Sequence, residues 1–71
     1  MGRPMIEEGP YIIVGFTAAG GSSAVDFAEA ASDAAALAAA EAFLARHRSS
    51  ASAEVWRDGR LVGRRTRPEP G

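Results

Sequence analysis

Five of the chain's eight arginines fall in one stretch of fifteen residues, EVWRDGRLVGRRTRP at 54–68. A guanidinium is a planar fork of donors that matches phosphate oxygens. Arg57, Arg60, Arg64, Arg65 and Arg67 are therefore the first candidates for chemistry, as a strand-borne grip on a nucleic-acid backbone. Trp56, within the run, offers a ring on which a base stacks, an interaction worth about 1–3 kcal/mol. With a two-residue turn at Asp58-Gly59, strand alternation predicts Arg57, Arg60 and Arg64 on one face, Arg65 on the other and Arg67 near the tail. A two-stranded ribbon of this kind fits a major groove. Two features weaken the reading. Val55 and Val62 share the face of the three arginines, and no aromatic besides Trp56 interleaves them. The chain also has no lysine and abundant alanine, the pattern of GC-rich coding, which makes arginine alone a weak pointer to phosphate.

The remaining groups promise less. GFTAAGGS, Gly15 to Ser22, follows an apolar run and approaches a phosphate loop, but Gly21 stands where the phosphate-reaching lysine is required. The segment after it alternates like a strand, whereas a phosphate loop opens a helix. It reads as a hairpin turn. His47 is the only histidine, with no serine, carboxylate or cysteine at helical spacing to form a relay. It reads as an edge-of-core residue near a helix end. The acids are scattered, and no pair stands out as a general acid/base couple. Cysteine is absent, so disulfides and thiolate metal sites do not arise. The expectation is a non-enzymatic protein with no cofactor and no metal.

At 71 residues the chain makes one domain at most. A domain this small buries only about 60% of its unfolded surface, and without staples it commonly gains stability by self-association. Its net charge is −1, but residues 1–45 carry one arginine against six acids (−5) and residues 46–71 carry seven arginines against three acids (+4). The N-terminus MGRPMIEEGP has no apolar core of a secretory signal, and Ile6 breaks the myristoylation pattern. No apolar run reaches the ~18 residues of a membrane span. A cytoplasmic protein with no membrane partner is expected.

The elements that position these groups follow from periodicity. Residues 1–9 read as a flexible arm, 10–67 as a single α+β domain and 68–71, with two prolines, as a flexible tail. YIIVGFT (11–17) is β-branched and aromatic, a strand; AAGGSS (18–23) is a turn; AVDFAEA (24–30) alternates with period 2 and pairs back. Ser32 offers an N-cap and Asp33 an acid in the first turn of an alanine-rich helix over about 33–47. Ala36, Leu37, Ala40, Phe43, Leu44 and His47 share the arc that faces the core. After the link SSAS (49–52), AEVWR and RLVGRRT flank Asp58-Gly59, one of the strongest short hairpin signals. The order β-β-α-β-β predicts an α+β fold, a four-stranded antiparallel sheet with one helix on one face. The helix, polar link and V-x-R-D-G-R hairpin, Val55 to Arg60, resemble several small bacterial domains of unknown function over residues 33–67. That resemblance implies a fold and no site.

Both hairpins are apolar on both faces: Ile12, Val14 and Phe16 against Tyr11 and Ile13, and Val55 and Val62 against Trp56 and Leu61. One helix covers only one face. The smaller valines suit an alanine-rich helix, which leaves Trp56 and Leu61, joined by Tyr11 or Ile13 if the hairpins lie side by side, as a candidate interface. Exposed apolar patches beyond a few hundred Å² mark interaction sites, so either the arm, residues 1–9, folds over this face or a second copy does, and closed two-fold dimers are the commonest oligomers. The first reading is a self-associating, homodimeric protein-interaction domain, with another protein as a further candidate partner. The second is a nucleic-acid binder using the arginine hairpin. A steep loss of binding with salt separates them.

Overall fold

The computed structural model describes residues 10–67. The expected arm (1–9) and tail (68–71) lie outside the described residues. The elements are β1 (Tyr11–Phe16), β2 (Ser22–Ala28), α1 (Asp33–Arg46), β3 (Ser52–Arg57) and β4 (Arg60–Thr66). The strands form one antiparallel sheet in the order β2-β1-β3-β4, with β1 and β3 central. The fold is α+β, with α1 lying mainly on β3 and β4 and less on β1.

Local chemistry accounts for each junction. The first hairpin closes with the Thr17 N–H donating to the Gly21 carbonyl at 2.8 Å, and Gly20 takes a φ of 98° that favours glycine. This is the loop that approached a phosphate-binding pattern; it joins two strands rather than opening a helix. Ser32 caps α1: its hydroxyl accepts from the Ala35 N–H at 3.1 Å, and Asp33 occupies the first turn. Ser32→Ala is expected to cost about 1 kcal/mol, a fall of roughly 4–8 °C in Tm measurable by circular dichroism. Asp58 and Gly59 both have positive φ, 53° and 77°, as a two-residue hairpin turn demands.

The core lies between α1 and one sheet face: Tyr11, Ile13, Ala53 and Val55 from the strands against Ala36, Ala40, Phe43 and Leu44 from the helix. Leu37 and Val62 pack at its border. The helical arc expected to face inward does so. Two glycines set how closely α1 approaches. A Cβ on Gly63 would lie 2.9 Å from a Leu37 methyl, and one on Gly15 would lie 2.7 Å from the Phe43 ring.

Two expectations about faces are corrected. Tyr11 and Ile13 lie beneath the helix, 1% and 2% exposed, and do not share a face with Trp56. The cause is the register between hairpins: Ile12 is opposite Trp56 and Ile13 opposite Val55. Alternation then sends Ile12, Val14 and Phe16 to Trp56's side, because side chains one residue apart point to opposite faces. The last hairpin also differs. Arg57 faces Arg60 and Trp56 faces Leu61 as expected, but Val55 is opposite Gly63, with a register shift that leaves Val62 as an extra residue. A bulge of this kind inverts the alternation beyond it.

Candidate functional site

The bulge disperses the arginines. Arg64, expected beside Arg57 and Arg60, is opposite Glu54 on the face away from the helix, where its guanidinium reaches the Ser52 hydroxyl at 3.4 Å. Arg65 turns to the helix side and pairs with Glu41 at 3.0 Å. Arg57 lies over the Tyr11 ring, 4.3 Å from its centroid, and donates to the Tyr11 hydroxyl at 2.9 Å. Tyr11 in turn donates to Asp33 at 2.8 Å, which ties β1, β3 and the start of α1 together. Arg67 folds back on the end of α1 and donates to the carbonyls of Leu44, His47 (2.8 Å) and Ser50 (2.9 Å). Arg60 is exposed beside the turn. The five arginines thus occupy two faces and a helix end, and four of them hold internal partners. Arg57, Arg60 and Arg65 share the helix side of the hairpin, but Arg57 is held at Tyr11 and Arg65 at Glu41, so they do not form a row of guanidinium groups turned to a phosphate backbone.

His47 stacks on Phe43 with ring centroids 4.2 Å apart, at the edge of the core. The helix-end carbonyls that a histidine or the neighbouring arginines could have served are held by Arg67 instead. Arg46 reaches across to Asp26 on β2 at 3.2 Å. Among the described residues, no three histidine, aspartate or glutamate side chains gather in a way that could hold a metal ion. No described helix is long and apolar enough to cross a membrane. A cleft of about 360 Å³ between α1 and β4 is lined by Glu41, Leu44, Ala45, Arg65, Thr66 and Arg67. Its charged groups are engaged with each other or with the helix end.

Among the described residues, the feature left without an internal role is the sheet face opposite α1. The paired registers place Phe27, Ile12, Trp56 and Leu61 in one row across all four strands, with Val25 and Val14 in the next. Ile12, Val14 and Trp56 are half-buried by their neighbours, whereas Phe27, Val25 and Leu61 are 65%, 58% and 46% exposed. Trp56 anchors its ring by donating from Nε1 to Glu54 at 3.1 Å. Trp56 and Leu61 lie where the sequence placed the candidate interface; Tyr11 and Ile13 are replaced there by Ile12 and Val14. Val25 and Phe27 were missed as members. Their alternation with Asp26 and Ala28 was visible, but alternation alone does not say which face is covered.

Comparison of the chain with protein families, with curated proteins and with solved structures gives no match.

Proposed function

We propose that this protein is a non-enzymatic interaction domain that self-associates through the apolar side of its sheet. The observation that carries the reading is the row Phe27, Ile12, Trp56 and Leu61, flanked by Val25 and Val14, on a face that no described element covers. Large apolar side chains left more than half in water, as Phe27 and Val25 are, bring a driving force of ~25 cal/mol per Å² to whatever removes them from it. The internal use of Arg57, Arg64, Arg65 and Arg67 favours this over a nucleic-acid function.

Sedimentation equilibrium across a hundredfold concentration range tests the proposal. The wild-type chain is expected to run as a dimer or larger at the upper end. Phe27→Asp is expected to shift the association constant at least about thirtyfold, the equivalent of ~2 kcal/mol typical of an interface hot spot, while keeping the helical circular dichroism. A wild-type protein that stays monomeric throughout would overturn it.

A further inference from the structure

The sheet has two edges among the described residues, β2 and β4, and they are built differently. β4 carries Arg60, Arg64 and Arg65 along seven residues and has a bulge in its middle, between its pairings with Val55 and Trp56. Charged side chains and bulges are the devices by which an edge strand resists pairing with another. A second β4 brought alongside would gather six guanidinium groups along one seam. β2, Ser22–Ala28, has neither device along most of its length. Its irregularity is confined to its start, opposite Gly15 and Phe16. Its one charge, Asp26, is already paired with Arg46. No residue of β2 is fully buried. α1 lies mainly on β3 and β4, so β2 is thinly covered on one face and carries the two most exposed large apolar side chains, Phe27 and Val25, on the other.

From the unguarded β2 edge we infer that two copies of the chain join along β2, antiparallel about a two-fold axis, to make one continuous eight-stranded sheet. The inference rests on the self-association proposed above but places its seam at the β2 edge of the apolar side, where Phe27 and Val25 are covered, while Ile12, Trp56 and Leu61 stay on the open face of the joined sheet. A closed two-fold contact uses the same patch on both copies, and the seven residues 22–28 have Val25 at their centre. Pairing over the full strand therefore places Val25 on the axis, opposite Val25 of the second copy. Asp26 then falls opposite Ala24, not opposite the other Asp26, which avoids directly opposed like charges. Phe27 falls diagonal to Val25 of the second copy, so the most exposed side chains of each protomer cover one another. The outward N–H and C=O groups of β2 gain partners at the same time, with the Phe27 N–H exchanging its bond to the Asp26 carboxylate, 2.9 Å, for one across the seam.

The chain has no cysteine, so single substitutions report cleanly. Directly opposed residues of antiparallel strands have Cα atoms about 4.5–5.5 Å apart, inside the ~4.4–6.8 Å range of a disulfide. Val25→Cys is expected to form an intermolecular disulfide under mild oxidation, in most of the protein at concentrations where the wild type is dimeric. Stacked sheet faces are ~10 Å apart, beyond disulfide reach. In that arrangement Val14→Cys, near the middle of the open face, cross-links only through a bifunctional maleimide about 10 Å long. A Val25 disulfide, together with at least tenfold slower amide exchange in 24–28 on raising the concentration of wild-type protein, supports the β2 seam. Dimers that cross-link only through Val14→Cys, or that cross-link at neither position, overturn the seam and leave self-association standing. A wild-type protein monomeric at every concentration overturns both.

Discussion

Gly15→Val is expected to leave the chain unfolded. Gly15 is on β1, and its missing side chain is where the helix comes closest to the sheet. A Cβ there would stand 2.6 Å from the Ser50 hydroxyl oxygen and 2.7 and 3.0 Å from two carbons of the Phe43 ring. Neither neighbour yields easily. Phe43 is fully buried, and Ser50 is 1% exposed with its hydroxyl 2.6 Å from that of Ser23. One added methyl in such a place costs about 1–3 kcal/mol. Gly15→Ala is therefore expected to lower Tm by roughly 5–20 °C. Valine adds two further carbons with little rotational freedom, in a domain whose whole stability is about 4–10 kcal/mol. Gly21→Ala is the control: its φ is ordinary and its nearest neighbour would be the Thr17 hydroxyl at 3.9 Å, so it should change Tm by less than about 3 °C. Thermal melts decide the matter. Partial rescue of Gly15→Ala by Phe43→Leu would identify the ring as the obstacle through the non-additivity of the pair. A Gly15→Val protein that melts near wild type would show that the ring does not rest on the glycine.

Gly15 also illustrates what the sequence conveyed. A glycine inside an apolar, β-branched run signals a bulge or a close approach, but not which residue approaches. The order of elements, the Ser32 cap, the helical arc and the Asp58-Gly59 turn were all legible because each is a local preference: capping chemistry, a 3.6-residue period, positive φ. The valines were also placed correctly beneath the helix, since small side chains pack under alanines. The make-up of the open sheet face was half legible for the same reason. Trp56 and Leu61 are opposite each other across a turn, which sequence fixes. Tyr11 and Ile13 were assigned to their face on the assumption of how two separate hairpins align, and that register is a tertiary property. One residue of slip exchanges the faces of the whole strand.

The arginines show a second limit. Period-2 counting put Arg64 with Arg57 and Arg60, and it fails at Val62, where two residues face one. Gly63 was the available signal: beside Leu37 it has no room for a side chain, and glycine within a strand is a common bulge marker. Nothing local, however, marks Arg67 as different from its neighbours in a basic run. Its role depends on α1 ending next to the end of β4, twenty residues apart in sequence from His47.

Arg67→Ala is expected to be the most damaging arginine substitution, by about 2–4 kcal/mol. The last carbonyls of a helix have no partner within it and carry the negative end of its dipole. Here Arg67 supplies both the donors and the charge, through Nε to Ser50 at 3.1 Å and through one terminal nitrogen to Leu44, His47 and Ser50. Hydrogen bonds to charged groups contribute roughly 1.5–3 kcal/mol each, and stranding a buried acceptor costs a further ~1–3 kcal/mol. These contributions overlap on one half-buried side chain, so the net is set below their sum. The expected reading is a Tm lower by roughly 10–25 °C, with faster amide exchange over 43–47, the last turn of α1 and its cap. Arg67→Lys should recover less than half, since an ammonium lacks the fork that spans several carbonyls. Arg60→Ala, at the exposed turn, should stay within about 0.5 kcal/mol. Raising salt to 1 M should reduce the Arg67 contribution only slightly, because partly buried contacts are poorly screened. If Arg67→Ala and Arg60→Ala melt alike, or if the Arg67 effect disappears in salt, the guanidinium is in solvent and the helix end is held by something else. It would then be available to an external anion, which is the one result that would return Arg67 to the phosphate-binding role first considered for it.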